Sequence, residues 1–167
     1  MSPTDVFTRM LHGVDTLDWD TVRSSFAERV DVDYTELWGG EAATVPIDDL
    51  VSDWTELATG FDATQHLTGP IAVVADQDAD RVDGVTTFRA YHHVIEAAGA
   101  STWLVVGRYD IGLEPENRHR GGDDPQDVDS HWRIRAITLH LAYEEGDRGL
   151  VDLARKRSRA GEGGRAG

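Results

Sequence analysis

The second half of the chain alternates between apolar and polar residues over long stretches, and this pattern constrains the fold more than any other feature. Three segments alternate in this way: Val82 to Ile95, Thr102 to Leu113, and His131 to Tyr143. A period of two is typical of β-strands that bury one face. Another strand is predicted over Thr64 to Ala75, joined to the next strand across the polar turn Asp76 to Asp80. The second half is therefore predicted to form an antiparallel sheet.

The first half of the chain carries helical signals instead. Ser2, Pro3 and Asp5 have the order of a capping residue, a first-turn proline and a first-turn acid. A second helix is predicted from Asp18 through Phe26, and a short strand from Val30 to Tyr34. A third helix follows with one apolar stripe, formed by Ile47, Leu50, Val51, Trp54 and Leu57. Helices followed by strands predict an α+β domain, in which a curved, mostly antiparallel sheet wraps around the N-terminal helices as a cone with an internal pocket.

The length of 167 residues fits one domain, which we place at residues 1–157. Within it, residues 114–130 are rich in polar residues, glycine and proline, and they are predicted to form a flexible hairpin loop. A last helix is predicted from Asp147 to Arg157. The remaining tail, residues 158–167, is small and charged and is predicted to be disordered.

The charge and composition exclude several classes of partner. A formal net charge of −15 disfavours binding to nucleic acid or to an anionic membrane. The chain has no cysteine, so disulfides and thiolate zinc sites are excluded. Neither a signal peptide nor an apolar run long enough to cross a bilayer is present. These features predict a cytoplasmic protein whose partner is a small molecule.

Strand parity predicts which side chains face the interior of the cone. Successive side chains on a strand point to opposite faces, so His92 lies on the face opposite Arg89. Because an arginine rarely points into an apolar interior, the face of His92 is predicted to be the inner one. The same reasoning turns Tyr109 inward, and on the last strand it places Trp132, Ile134 and Ala136 on the inner face, opposite Arg133 and Arg135. His66 and Tyr34 are further candidates. The predicted apolar wall of a substrate pocket, around Tyr109, consists of Phe88, Trp103, Trp54 and Trp132.

Three stretches resemble a known family. The segments LDWDTVRSSFAERVDVDYTELW, ATQHLTG and FRAYHHV are similar to the scytalone dehydratase and SnoaL-like branch of the nuclear transport factor 2-like superfamily. The resemblance runs from about Thr8 to Tyr143. It implies a cone-shaped α+β barrel, and this fold hosts dehydratases, isomerases, cyclases and proteins without activity.

The resemblance also implies four catalytic positions. Asp15 matches a buried aspartate that orients a histidine, Tyr34 matches a pocket tyrosine, and His66 and His92 match the two catalytic histidines. The family dehydratase has a tyrosine where this chain has Val14. It also has a serine and an asparagine at the positions aligned with Gly107 and Tyr109, so the chain departs from the family pattern at these positions as well.

These groups suggest acid–base chemistry on a carbonyl compound. We expect Asp15 to accept the Nδ1 proton of His92, which would then remove a proton next to a carbonyl and return one to a departing hydroxyl. Tyr34 and His66 would bind the enolate oxygen or the leaving water. The expected activity is a cofactor-independent dehydratase acting on a small cyclic or polyketide-like hydroxy-carbonyl compound. An isomerase or polyketide cyclase using the same pair is the nearest alternative, and a non-catalytic binding protein is another.

Structural roles compete with these functional ones. His66 alone could be a core histidine, and Asp15 could cap the helix that starts near Asp18. Two histidines and one carboxylate could also bind a divalent ion, but the resemblance implies no metal and no cofactor. Association into a homodimer or homotrimer through the outer face of the sheet is a further possibility.

Overall fold

A computed structural model describes residues 2–75, 81–95, 97–116 and 131–161. Helix α1 spans Pro3–Thr16, and helix α2 spans Trp19–Ser24. Ser2 caps α1, because its side chain accepts a hydrogen bond from the N–H of Asp5 while the Asp5 carboxylate accepts one from the N–H of Ser2. The inner face of α1 is apolar and buried, and it consists of Val6, Phe7, Met10, Leu11 and Val14.

Within the described residues, seven strands form one open, curved sheet. The strands are β1 (Phe26–Asp33), β2 (Ala43–Pro46), β3 (Ala63–Thr68), β4 (Ala72–Ala75), β5 (Val82–His93), β6 (Thr102–Pro115) and β7 (Trp132–Gly146). Their order is β2-β1-β7-β6-β5-β3, and β4 pairs with the first part of β5. The β1–β7 pair is parallel, and the other pairs are antiparallel. The predicted α+β cone with a mostly antiparallel sheet is thus confirmed.

Three more helices complete the described fold: α3 (Thr35–Trp38), α4 (Ile47–Ala58) and α5 (Leu150–Ala160). Helix α5 packs against the turn that follows α4, where a Cβ added to Gly60 would lie 1.8 Å from the carbonyl oxygen of Ala154. An ion pair between Asp62 and Arg157, with the closest atoms 2.7 Å apart, also joins α5 to this turn. The helices and the inner face of the sheet together enclose the core.

Several element boundaries differ from the prediction. Helix α2 ends at Ser24, and Phe26 already belongs to β1. The predicted strand over Thr64 to Ala75 is divided into β3 and β4, because Gly69 and Pro70 interrupt it. Helix α5 continues to Ala160, three residues beyond its predicted end. The polar turn 76–80, residues 117–130 of the predicted loop and residues 162–167 of the predicted tail lie outside the described residues.

The predicted inner face is correct for β5 and β6 but only partly correct for β7. Ile134 is buried, but Ala136 is half-buried and the next buried residue is Ile137. The pairing register between β6 and β7 shifts between Gly112 and Leu113. Such an irregularity changes which side chains point inward beyond it, so alternation counted from the sequence fails there.

Among the described residues, no helix is both long and apolar enough to cross a membrane.

Candidate functional site

The candidate site is a cavity of about 100 Å³ between the helices and the inner face of the sheet. Helices α1, α3 and α4 and strands β3, β5 and β6 all contribute to its wall. Most lining residues are aliphatic or aromatic, so the cavity is a poorly hydrated environment. The lining side chains that carry an ionisable or hydroxyl group are Tyr34, Thr64, His66, His92 and Tyr109. Sites that bind small molecules typically have this composition, with a few polar groups in an apolar cavity.

Asp15 and His66 form a hydrogen-bonded pair at this cavity. The Nδ1 of His66 lies 2.7 Å from Oδ1 of Asp15, and the backbone N–H of His66 donates to Oδ2 at 2.7 Å. The hydroxyl of Thr64 donates to Oδ1 at 3.0 Å. Both side chains of the pair are largely buried, with 11% of His66 and 15% of Asp15 exposed. The carboxylate therefore fixes the position of the imidazole through the ring and the backbone together.

The local sequence explains why these groups meet. Asp15 belongs to the last turn of α1, which packs against β3. Thr64 and His66 are two residues apart on β3, and side chains two apart share a face of a strand. Burial opposes ionisation of Asp15, but the hydrogen bonds from His66 and Thr64 outweigh it, so the pKa of Asp15 lies below its usual value. Asp15 is thus a carboxylate at neutral pH.

The expected pairing of Asp15 with His92 is wrong. The Nδ1 of His92 faces the backbone carbonyl oxygen of Trp103, 3.3 Å away on the neighbouring strand β6. His66 lies on β3, between α1 and β5, and its ring forms the hydrogen bond with the Asp15 carboxylate instead. Both histidines had been identified from the sequence, but their order across the sheet was not evident from it.

His92 is a buried aromatic neighbour of the pair. Its ring centroid lies 5.9 Å from that of His66 in an edge-on arrangement, and 4.6 Å from the Trp103 ring. Burial, with a smaller contribution from the nearby His66 ring, lowers the pKa of His92 to about 3. His92 is therefore neutral over the physiological pH range.

Two tyrosines lie side by side at the same cavity. The ring centroids of Tyr34 and Tyr109 are 6.4 Å apart. Burial raises the pKa of both phenols. The neighbouring Tyr109 raises the pKa of Tyr34 further, whereas the hydrogen bond with Tyr34 partly offsets the rise for Tyr109. Tyr109 is held by stacking on Phe88, with centroids 4.1 Å apart, and by edge contact with Phe7. Both tyrosines are neutral hydrogen-bonding groups at neutral pH.

Three of the four residues predicted to form the apolar wall line the cavity, namely Phe88, Trp103 and Trp54. Trp132 is not among the lining residues. Trp132 is the first residue of the long strand β7 and pairs with Pro115, the last residue of β6. This end of the two strands lies away from the cavity.

Four further residues line the cavity and were not predicted from the sequence: Thr64, Leu37, Trp38 and Phe61. Thr64 could have been found, since it shares the face of His66 two residues away. Leu37 and Trp38 lie on α3, whose four residues are too few to show a helical period. Gly107, aligned with a serine of the related dehydratase, has no room for a side chain, because an added Cβ would lie 2.1 Å from the carbonyl oxygen of His140.

In the part of the chain that the structure describes, no group of three histidine or carboxylate side chains is arranged to hold a metal ion.

The fold and the cavity together define a cone-shaped α+β protein with an internal site for a small molecule. The SnoaL-like domain family matches residues 4–138, and the chain belongs to this family. The resemblance predicted from the sequence is thereby confirmed. No curated protein sequence matches the chain.

Three solved structures illustrate the similarity of fold. The Kfla4162 protein of Kribbella flavida is 24% identical, with a TM-score of 0.72 over 91% of this chain and 93% of the other. A putative scytalone dehydratase of Novosphingobium aromaticivorans is 14% identical, with a TM-score of 0.67 over 87% and 85% of the two chains. A hexachlorocyclohexane dehydrochlorinase, LinA-type3 of Novosphingobium barchaimii, is 16% identical, with a TM-score of 0.61 over 87% and 88%.

Proposed function

We propose that the protein is a cofactor-independent lyase that removes water from a small cyclic or polyketide-like hydroxy-carbonyl compound. The observation that carries this proposal is the Asp15–His66 pair at the wall of an apolar cavity. Two of the similar structures have names that describe eliminations, of water in one case and of hydrogen chloride in the other. These names agree with the proposal, although such distant similarity supports the fold alone.

His66 acts as the general base in this proposal. Its Nδ1–H donates to the Asp15 carboxylate, so Nε2 carries the free lone pair. When Nε2 takes a proton from the carbon next to the substrate carbonyl, the new imidazolium is stabilised by the adjacent carboxylate. This is the role that the sequence analysis had given to His92. His92 is unsuited to it, because a pKa of about 3 makes its ring a weak base.

Tyr34 and Tyr109 stabilise the negative charge that develops on the carbonyl oxygen. Because burial raises the pKa of both phenols, both stay protonated, and the O–H that is not used in the hydrogen bond between them can donate to the substrate. A hydrogen bond to a developing oxyanion is worth more in a dry cavity than in water. The tyrosine hydroxyls therefore lower the barrier to removing a proton from carbon.

The elimination is then completed on the same histidine. The electrons of the broken C–H bond form the C=C bond, and the C–O bond to the β-hydroxyl breaks. The protonated His66 returns its proton to the departing hydroxyl, so the products are an enone and one molecule of water. The neutral His92, with Nδ1 directed at the Trp103 carbonyl, positions the substrate hydroxyl through its other ring nitrogen.

The test separates proton removal from loss of water. Exchange of the α-hydrogens of cyclohexanone in deuterated water reports the first step, and formation of cyclohexenone from β-hydroxycyclohexanone reports the whole reaction. We expect His66→Ala to slow both by about 10²–10⁴, the usual contribution of a general base. The control is His93→Ala, because His93 points away from the cavity on the same strand face as Arg89.

Equal rates in His66→Ala and the unaltered protein would contradict the proposal. Binding of both ketones with neither exchange nor elimination would favour a non-catalytic binding protein. Exchange without elimination would favour an isomerase, which shares only the first step.

A further inference from the structure

A second cavity, of about 210 Å³, lies next to the first. It is formed between α3, β2 and the start of α4. Tyr34 and Trp38 line both cavities, and no other residue among those described does so. These two side chains therefore form the wall between an inner cavity, which contains the Asp15–His66 pair, and an outer one. The hydroxyl of Tyr34 already has a role in the proposed reaction. Trp38 has none, so its place in the wall between the two cavities needs a separate explanation.

Trp38 is held in this wall from two sides. Its ring centroid lies 5.7 Å from that of Trp103 on the inner side. The guanidinium carbon of Arg148 lies 5.3 Å from the Trp38 ring centroid, a cation–π contact. Arg148 is fixed in turn, because it donates to the Glu144 carboxylate at 2.7 Å and to the carbonyl oxygen of Leu37. The indole is thus anchored although 40% of it is exposed.

The size of the inner cavity limits what it can hold. Its volume of about 100 Å³ is smaller than the ~150 Å³ of an engineered apolar cavity that binds benzene. One small ring is therefore the largest group that enters without rearrangement. A fused second ring needs the space that Trp38 occupies or the outer cavity beyond it.

We propose that Trp38 determines the substrate size of the site by separating the inner cavity from the outer one. This inference rests on the proposed function, in that it treats the inner cavity as the ligand site. Replacing the indole by a small side chain joins the two cavities and admits fused-ring ketones. The outer cavity is lined by Glu41, Asp49 and Asp53, so the part of a ligand that reaches it is neutral or cationic and not anionic.

The experiment measures binding by calorimetry, which does not require turnover. Cyclohexanone and α-tetralone are titrated into the unaltered protein, Trp38→Ala and Trp38→Leu. We expect the affinity for α-tetralone to rise by about tenfold or more in Trp38→Ala, because the second ring now buries apolar surface. The affinity for cyclohexanone changes little. A carboxylate-substituted α-tetralone gains no affinity, since it meets the three carboxylates of the outer cavity.

The matched control is Trp132→Ala, which removes an indole that lines neither cavity. Thermal unfolding of each variant verifies that it is folded, and Trp38→Leu keeps an apolar side chain if the alanine variant is not. The proposal is overturned if α-tetralone binds no better to the folded Trp38 variants than to the unaltered protein. If α-tetralone binds the variants but His66→Ala has no effect on exchange, the size limit stands and the proposed function fails.

Discussion

At the scale of single residues, the site depends on one carboxylate that accepts hydrogen bonds from strand β3. Asp15 accepts from the ring and the backbone of His66 and from Thr64. The sequence was sufficient to identify Asp15 and both histidines as candidates, because strand parity turns His92 inward and the family resemblance implies all three. It did not reveal which histidine Asp15 contacts, since that depends on how the end of α1 packs against β3.

Asp15→Asn tests the role of this carboxylate in both catalysis and stability. The amide has no charge to stabilise the His66 imidazolium, and one of its two acceptor atoms becomes a donor that faces a donor. We expect the exchange rate to fall by about 10²–10⁴. Because the folded-state pKa of Asp15 is lowered, its contribution to stability is present above the unfolded pKa and is lost as pH falls through the folded pKa.

The pH dependence supplies the measurement. Urea unfolding of Asp15→Asn and of the unaltered protein is compared at neutral pH and below about pH 4, near the ordinary pKa of aspartate. The difference in free energy of unfolding should narrow in acid. A difference that is constant with pH would show that the charge of Asp15 does not stabilise the fold.

His92 also predicts a loss of stability in acid, over a higher range of pH than Asp15. Its folded-state pKa of about 3 lies below the ordinary histidine value of 6.5, so the unfolded chain binds this proton more readily. The contribution of His92 to the free energy of unfolding is fully present above pH 6.5 and is lost progressively as the pH falls toward 3. At pH 5 the loss from this residue is about 2 kcal/mol. In His92→Gln, urea unfolding should depend less on pH in this range.

At the scale of elements, the short helix α3 brings Tyr34, Leu37 and Trp38 to the cavity, and β7 holds it in place. The Glu36 carboxylate on α3 contacts Nδ1 of His140 at 2.9 Å and accepts from the N–H of Leu141 at 2.8 Å. The long strands were predictable because alternation over a dozen residues is a strong signal. Helix α3 and strand β2 were not, because four residues show no period and tertiary contacts decide their conformation.

The contact between α3 and His140 should depend on pH. The hydrogen bond to Glu36 raises the pKa of His140, and Asp110 adds to this, while Arg108 and partial burial oppose it. Asp33 also faces this group and is influenced by its charge. Since the folded-state pKa of His140 is raised, its stabilising effect is present below the unfolded pKa and is lost as pH rises through the folded pKa.

Hydrogen exchange of the α3 amides measures this effect. The N–H groups of Leu37 and Trp38 both donate to the carbonyl oxygen of Tyr34. Their protection, corrected for the intrinsic exchange rate, should decrease as the pH rises above the ordinary histidine pKa of about 6.5 and His140 loses its proton. In His140→Gln it should be low throughout and independent of pH. Protection that is equally high in both proteins would mean that Glu36 and His140 do not hold α3.

At the scale of the whole molecule, the net charge of −15 acts against the compact state. Like charges repel one another more strongly when folding brings them together. Ion pairs such as Arg157–Asp62 offset only part of this repulsion. The excess of carboxylates was evident from composition, whereas their positions around the outer cavity depend on the fold.

Salt should therefore stabilise the protein. Raising the salt concentration from about 0.01 M to about 0.15 M shortens the Debye length from about 30 Å to about 8 Å. We expect the free energy of urea unfolding to increase over this range, with sodium chloride and choline chloride giving the same result. A decrease would indicate that attractive ion pairs outweigh the general repulsion, and a difference between the two salts would indicate specific ion binding.

His66 lies on β3, which forms one edge of the sheet, and its backbone N–H points away from β5 toward Asp15. An N–H on an edge strand is otherwise available to a strand from another molecule. The aspartate thus covers the margin where a second copy could add a strand and begin to aggregate. Replacing this side chain would leave that N–H at the edge of the sheet without its acceptor, so we expect the Asp15 variant to be less soluble than the unaltered protein.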